Sequence, residues 1–435
     1  MASLPAASTP PAFARALPPL LALALSMAIG FTMMGSFSTI QEAAKAEMAI
    51  SDYALSLVQG LSAAIPMVLL SIPVGIAVDR GRRVRLLVAL SVVWTLGTLL
   101  TAVAQSVPVL FVARMLTAIG TTGALTAALS LGADLCAPHQ RGRATLIVTL
   151  GKTLGTAAGF ALAGWLFGWF VQSEASSWFG GVTPWRATHF ALAILGVVLA
   201  LPLFFLREPP RHEVVAGTHA PFRIVAGELW SRRRFLVPLF AGQVGVVMAD
   251  AAAGIWAAPV LSRSYGLQPE QFAGWMGLLL LLTGILGAVL GGFAADAGQK
   301  SGRRGGLLLG AVIAAGLSIP AALFPIAPGV PAFAFALGTL ILCGTVTGLI
   351  TSVALTVLLP NELRGLCIGA FIAIAGLVGF GITPTLVAWV SSLMGGEQAL
   401  APALALVGSL VSVLAFAAFL LAMWRAPLGA TDEAI

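Results

Sequence analysis

The chain has 435 residues, of which 59% are hydrophobic and 9% charged, and its mean hydropathy is +1.01. That composition leaves too little polar material to cover a soluble globule of this size, so it predicts an integral membrane protein. The net charge of +7 could suggest nucleic acid, but the basic residues form short clusters without interleaved aromatic residues, and we expect no nucleic-acid partner.

Apolar runs of about 20 residues, the length needed to cross the hydrocarbon layer, occur twelve times. The runs are continuous rather than alternating, which predicts helices and excludes a β-barrel. The predicted spans begin near Leu17, Asp52, Val84, Val107, Arg143, Arg186, Phe235, Glu270, Gly305, Pro331, Arg364 and Gln398. The first run exceeds the apolar core of a signal peptide and lacks a convincing cleavage site, so we expect it to remain as a helix. The predicted fold class is therefore all-α integral membrane.

The sequence repeats itself once. Gly75-Ile-Ala-Val-Asp79-Arg80-Gly-Arg82-Arg83 closes the second run, and Gly292-Phe-Ala-Ala-Asp296, followed by Gly302-Arg303-Arg304, closes the eighth. The loops at 138–142 and 360–365, which contain Arg141 and Arg364, repeat at a similar offset. A polar linker at 207–234 separates residues 1–206 from residues 235–435, with six spans in each half. Two such repeats predict alternating access around a central site.

Most of the 23 lysines and arginines fall in loops on one side of this topology. The positive-inside rule places those loops, and both termini, in the cytoplasm. We therefore expect a multi-pass protein of the plasma or inner membrane, and a monomer within its lipid bilayer.

The chain resembles the major facilitator superfamily at these residues. The segment from Gly75 to Arg83 matches the family's loop between helices two and three, except for one missing residue after Arg80. Arg114 keeps half of the fourth-helix signature, and Trp185-Arg186 precedes the sixth helix as is usual in the family. Asp79 ends helix two where the start of helix eleven, after Arg364, presents a positive helix terminus. We therefore expect a cytoplasmic gate in which Asp79, with Arg80 and Arg83, latches the outward-facing state. The gate residues that we expect are Gly75, Asp79, Arg80, Arg83, Arg141, Asp296 and Arg364.

Three segments are similar to the spinster-like branch, which includes lipid and lysolipid transporters. They are Ile50-Ser51-Asp52, Ser71-Ile-Pro73 and Arg207-Glu-Pro-Pro-Arg211. The chain departs from that branch because no acid lies between Leu17 and Gln41, and Thr121 follows Gly120 where a glutamate is usual. Any proton coupling must therefore be built differently. Thr156 follows Gly155 in place of the proline of drug antiporters, which argues against a drug–proton antiporter.

Three ionisable residues lie deep within predicted spans: Arg114, Lys152 and Asp250. Each is costly in a bilayer, so we expect them to face an aqueous cavity or one another. Thr117 and Thr121 share a helix face with Arg114, and Gln243 shares one with Asp250. Alternatively, Arg114 only anchors the bundle, Lys152 snorkels toward the cytoplasm, or Lys152 and Asp250 pair without touching substrate.

The two bases favour an organic anion or a zwitterionic, lipid-like amphiphile as substrate, and Asp250 could meet a cationic group or carry a proton. Multidrug or metabolite efflux is an alternative within the family, and a receptor or scaffold that does not transport is an alternative of another class. The sequence contains no catalytic or metal-ligand constellation, so we expect neither an enzyme nor a cofactor.

Small residues at a four-residue spacing mark two helices. Since such residues allow close approach of helix backbones, we expect helices five and eight to pack along them and helix two to face helix eleven. The residues of this seam are Gly151, Gly155 and Gly159 in helix five, and Gly284, Ala288 and Gly292 in helix eight.

Overall fold

A computed structural model describes residues 13–210, 227, 230–359, 367 and 370–427. Within them, twelve helices are long and apolar enough to span a membrane. They are α1 (Phe13–Met48), α2 (Asp52–Leu69), α3 (Arg83–Val103), α4 (Val107–Asp134), α5 (Arg141–Gln172), α6 (Pro184–Phe205), α7 (Arg233–Tyr265), α8 (Pro269–Lys300), α9 (Gly306–Ile326), α10 (Val330–Val357), α11 (Ala370–Met394) and α12 (Glu397–Trp424). Most of the linker, and Arg364, lie outside the described residues.

The fold-class prediction is confirmed, and eleven of the twelve spans begin within a few residues of their predicted starts; the predicted start of the eleventh span lies outside the described residues. Local sequence explains the boundaries. α6 and α8 begin at Pro184 and Pro269, where the missing N–H costs nothing, and Gln268 and Gln271 complete a capping box on α8. α7 ends where Gly266 adopts a φ of 67°, the left-handed conformation that glycine tolerates.

The helix bundle has two ends that differ in their charged residues. The arginine-rich end carries Arg80, Arg83, Arg141 and Arg303, and the opposite end carries the last turn of α1 and the first turn of α12. A further helical segment, Ser71–Arg80, continues α2 toward the arginine-rich end.

The first and last six helices meet along α2 with α11, and α5 with α8, as expected from the repeat. Both α2 and α11 contain a π-helical turn, at Leu57–Leu61 and Gly376–Ile382. The two turns are in contact, and a Cβ at Gly60 would overlap the carbonyl oxygen of Phe380. Only glycine fits this approach of the two halves.

The predicted seam is wrong for the glycines of α5. Gly151 and Gly155 pack against the backbone of Ala24 and Ala28 in α1, and Gly159 lies against Gly35 of the same helix. The α5–α8 contact uses another face of α5, where Ala157 meets Gly277.

On the α8 side of the predicted seam, Gly284 alone meets α5, at Thr153. Ala288 is exposed, and Gly292 nears Leu349 of α10. The spacing of small residues predicted close packing correctly, but it could not name the partner helix.

A disulfide test distinguishes the two packings. Cysteines replacing Thr153 and Gly284, in a background lacking the three native cysteines, should crosslink readily, because a Cβ at Gly284 lies 2.9 Å from Cγ2 of Thr153. Cysteines at Gly155 and Ala288 should not. Electrophoretic mobility after oxidation measures both pairs, and efficient crosslinking of the second pair alone would show that the α5–α8 contact is misassigned.

Candidate functional site

Lys152 lies on a polar face of α5 that is separate from the face packed against α1. Other faces of α5 contact α1 through Gly151 and Gly155, or carry exposed leucines such as Leu154. The remaining face holds Thr149, Lys152 and Thr156. Lys152 is exposed, and its Nζ lies 5.4 Å from the ring centroid of Phe31 in α1. This cation–π contact holds the ammonium group in place without neutralising it.

Arg114 occupies a different environment from Lys152. Its side chain is buried, donates to the carbonyl oxygens of Met33 (3.3 Å) and Met34, and lies 5.2 Å from the ring centroid of Phe37. No carboxylate pairs with it among the described residues. These contacts match the alternative that Arg114 anchors α4 to α1, and its role in substrate binding stays a prediction.

Thr117 and Thr121 share the buried face of α4 with Arg114, as the spacing predicted. Thr121 donates to the carbonyl oxygens of Gly30 (3.2 Å) and Thr117 (2.8 Å), and Thr117 packs closely against Gly97 of α3. The Thr121 hydroxyl thus joins α4 to α1, while the Thr117 hydroxyl donates within α4 to the carbonyl oxygen of Ala113 at 3.0 Å. Their predicted contact with substrate remains untested.

Asp250 lies in a notch between α7 and α10. Its carboxylate fits against Gly344, where any Cβ would overlap Oδ2, and Oδ1 is buried without a hydrogen-bond partner in the described structure. One face of α7 also brings Gln243 to α10, where its Oε1 accepts from Thr351 at 3.0 Å. Asp250 therefore lies at the α7–α10 contact of the second half with one carboxylate oxygen unpartnered among the described residues, and its role in substrate binding or coupling stays a prediction.

The predicted gate residues that the structure describes lie at the arginine-rich end, and Arg364 lies outside the described residues. Asp79, Arg80 and Asp296 are exposed, and nothing lies within 4 Å of a Cβ at Gly75. Arg141 begins α5 and is partly buried. A latch among these residues remains a prediction.

Arg83 is the exception, because it is almost fully buried within the first half. It pairs with Asp134 at the end of α4 and with Glu208 after α6 (3.1 Å). Glu208 also accepts from the backbone N–H of Val84 at 2.8 Å. Arg83 therefore fixes the start of the linker to the first half, a role that the sequence did not reveal.

Arg83→Ala should destabilise the protein by about 2–3 kcal/mol, because it leaves two carboxylates with an unmatched charge. Burial alone would raise the pKa of Glu208, but the hydrogen bonds from Val84 and Arg83 hold it below its ordinary value. The pair's contribution is therefore present at neutral pH and is lost as the pH falls through the lowered pKa of Glu208. Thermal unfolding in detergent should show a smaller wild-type advantage at acid pH; an equal difference at every pH would contradict this.

An ion network that the sequence analysis missed joins the halves at the opposite end. The carboxylate of Asp52, at the start of α2, accepts a hydrogen bond from Nζ of Lys45 in α1 at 2.7 Å. It also accepts one from each terminal nitrogen of Arg263 at 2.7 Å. Arg263 also pairs with Glu42 at 2.7 Å, and Lys45 pairs with Glu397 at the start of α12. Because α1 and α2 belong to the first half and α7 and α12 to the second, these contacts close that end.

Neutral hydrogen bonds continue this closure one layer deeper. Gln41 donates to the carbonyl oxygen of Ile255 in α7, and Gln59 donates to Gln41 Oε1 at 3.0 Å. Ser56 meets Thr385 of α11 at 3.1 Å. The sequence signal for this network was the group of acidic and basic residues at the span ends around 42–52. Without a known partner, such residues indicate only where a membrane span ends.

This arrangement of twelve membrane helices in two pseudo-symmetric sets defines a polytopic membrane protein. Residues 20–377 match the family model described as Major Facilitator Superfamily. The chain belongs to this superfamily.

Curated relatives carry transport names. The chain is 27% identical over 323 residues to the "Probable 4-methylmuconolactone transporter" of Cupriavidus pinatubonensis, covering 72% of this chain and 71% of the relative. It is 29% identical over 196 residues to the "Inner membrane transport protein YdhP" of Escherichia coli K12, covering 43% and 44%. It is also 29% identical over 201 residues to the "Chloramphenicol resistance protein" of Streptomyces lividans, covering 46% and 45%.

Solved structures share the fold. A bacterial homologue of the human lysosomal transporter Spinster, described as inward-facing and occupied, aligns with a TM-score of 0.77 at 22% identity, covering 95% of this chain and 97% of that one. A point mutant of the nucleoside transporter NupG aligns with a TM-score of 0.73 at 13% identity, covering 92% and 99%. The resemblance to the spinster-like branch is thus confirmed as a structural likeness.

Proposed function

We propose that the protein is a secondary active transporter that moves a small organic anion or zwitterionic amphiphile by alternating access. The observation that carries this proposal is a pair of ionisable side chains with no opposite charge beside them among the described residues, Lys152 in the first half and Asp250 in the second, in a bundle closed at one end by ion pairs between the halves. Unpaired charges inside a membrane bundle are costly to keep and mark substrate or ion pathways.

The distribution of contacts supports an inward-open state. The ion network on Asp52 closes the opposite end, while Arg80 and Asp296 are exposed at the arginine-rich end. With the arginine-rich end in the cytoplasm, as the positive-inside rule expects, the proposed site would be reached from the cytoplasm in this state. The Spinster homologue of similar fold carries the description inward-facing, in agreement with this orientation.

Lys152 is the stronger anion-binding candidate of the two bases. The Arg114 guanidinium group donates hydrogen bonds to carbonyl groups of α1. The ammonium group of Lys152 has three donors and, among the described residues, contacts the ring of Phe31 without a hydrogen-bond acceptor. Thr149 and Thr156 on the same face give the surface hydroxyl groups that can assist an anionic headgroup. The names of the relatives, a muconolactone transporter and a chloramphenicol resistance protein, support a small organic substrate and leave export as the second candidate.

Asp250 supplies the proposed coupling site. Its Oδ1 lacks a partner in the described structure, so the carboxyl can be protonated without breaking an existing hydrogen bond. Proton loss would place a charge against the backbone of α10 at Gly344 and favour a different packing of α7 on α10. Protonation and substrate occupancy would then bias the same rocking motion.

Counterflow in liposomes tests the proposal, because only a transporter gives saturable exchange of a labelled substrate. A binding screen of anionic, zwitterionic and lipid-like compounds at two pH values supplies the substrate. Lys152→Ala should then weaken binding by roughly tenfold, the loss expected for one charge-assisted contact, and Asp250→Asn should flatten the pH dependence of transport.

Lys300→Ala, which removes an exposed lysine at the end of α8, is the matched control and should behave as wild type. The double exchange Lys152→Asp with Asp250→Lys separates substrate binding from a switch formed by the two residues. Restored transport of the original substrate would support the switch and would rule out anion binding by Lys152. Absence of counterflow with every compound in the screen would favour the receptor or scaffold.

A further inference from the structure

A polar cavity lies at the opposite end of the bundle, among residues of the first half alone. It has a volume of about 660 Å³ and lies between the ends of α1 and α3, the loop before α6 and the first turns of α6. Its lining includes Glu47, Val103, Gln105, Arg186 and Phe190. None of these residues contributes to the proposed transport site.

The polar part of the cavity is a built charge pair. Arg186 Nε donates to Glu47 Oε1 at 2.8 Å, and Arg186 Nη1 donates to the carbonyl oxygen of Ala102 at 2.9 Å. Thr183 and Trp185 donate to the other carboxylate oxygen. Among the described residues, Arg186 Nη2 and the exposed amide of Gln105 have no hydrogen-bond partner, so donors remain for a ligand.

Two apolar stripes lead from the membrane to this cavity. On α3, Val92, Leu96, Leu99 and Val103 are exposed at spacings of four, three and four residues, so they follow one face. On α6, Phe190 is followed by the exposed Ile194, Val197 and Leu201 at the same spacings. Val103 and Phe190 end their stripes at the cavity and line it.

The depth of the cavity is that of lipid headgroups. The adjacent end of α5 and the loop after it carry three exposed tryptophans, Trp165, Trp169 and Trp178, whose successive ring centroids are 6.5 Å and 5.5 Å apart. Phe179 of that loop stacks on Phe190 at 5.4 Å. Clustered tryptophans at helix ends mark the interface between hydrocarbon and headgroups.

We propose that this cavity binds the headgroup of a zwitterionic phospholipid with a primary ammonium group, such as phosphatidylethanolamine, whose acyl chains lie on the stripes of α3 and α6. The lipid phosphate accepts from Arg186 Nη2 and Gln105, and the ammonium donates to Glu47 Oε1, which has a free lone pair. Because the Glu47–Arg186 pair is neutral overall, the site matches a headgroup without net charge. With the proposed orientation, the lipid belongs to the extracytoplasmic leaflet.

Native mass spectrometry of the full-length protein in detergent tests the site. Titration with dioleoyl phosphatidylethanolamine should show one tightly retained lipid, and dioleoyl phosphatidylglycerol should bind there at least about tenfold more weakly. Arg186→Lys keeps the charge but removes Nη2, and it should weaken retention about tenfold. Gln105→Ala should weaken it about threefold, while Gln172→Ala, a matched change of an exposed glutamine at the end of α5, should not.

Three results would overturn the proposal. Equal binding of the anionic lipid would remove the preference for a neutral headgroup, and displacement of the lipid by inorganic phosphate alone would reduce the cavity to an anion site. Unchanged retention in Gln105→Ala would show that the retained lipid does not have its headgroup in this cavity, even if Arg186→Lys failed to fold.

Discussion

Replacing Gly60 by alanine should reduce transport by at least tenfold. The added methyl group would overlap the carbonyl oxygen of Phe380, which is backbone and cannot turn aside. Overpacking of this kind costs about 1–3 kcal/mol, and the cost falls only on the state in which the opposite end is closed. The variant should therefore spend more time open at that end and exchange substrate slowly.

Two measurements check this expectation. A cysteine replacing the buried Ser38, in the background lacking native cysteines, should react faster with a membrane-impermeant maleimide in Gly60→Ala than in the parent. Gly274→Ala is the matched control, because a Cβ there meets nothing within 4 Å. Equal labelling and equal transport in Gly60→Ala and the parent would mean that α2 and α11 do not need this close approach.

Asp52→Asn should open the same end by electrostatics rather than by bulk. The side chain is 6% exposed and accepts from both Lys45 and Arg263, so its loss leaves two cations near one another with only Glu42 and Glu397 to balance them. Removing one partner from a buried ion pair costs about 3 kcal/mol or more. A penalty of that size shifts a two-state equilibrium by roughly a hundredfold, so steady transport should nearly vanish.

Glu47→Gln is the natural comparison for Asp52→Asn. It breaks an ion pair at the same end, but Glu47 and its partner Arg186 both belong to the first half. Rocking should therefore proceed nearly as in the wild type. Maleimide labelling at Ser38→Cys reports the state in each variant, and a closed end in Asp52→Asn would show that the π-helical contact suffices without the ion network.

The helices could be predicted from sequence because a span is a local property. Twenty consecutive apolar residues must form a helix in lipid, whatever surrounds them, and the proline at 184 and the glycine at 266 mark ends by backbone chemistry alone. The repeat then gave the pairing of α2 with α11 and of α5 with α8, since symmetry relates the two halves.

Partner identity was not a local property, and there the sequence analysis was incomplete. The glycines of α5 indicated a close neighbour, but α1 and α8 both present small residues, and only the rotation of α5 decides between them. The motif around Arg83 predicted a gate residue, but in the structure Arg83 forms ion pairs with Asp134 and Glu208 of the first half. Asp52 and Arg263 are 211 residues apart, so nothing in the order of residues links them.

The close glycine contact between α1 and α5 joins these two helices into one rigid unit. Ala24 and Ala28 sit directly on Gly151 and Gly155, and the Thr32 hydroxyl donates to the carbonyl oxygen of Gly155 at 3.1 Å. Phe31 of α1 and Lys152 of α5 both belong to this unit, so they keep their relative position when the two halves rock. A bulky residue at Gly155 would therefore spread the ring and the ammonium group apart, and alter ligand affinity, without touching either of them.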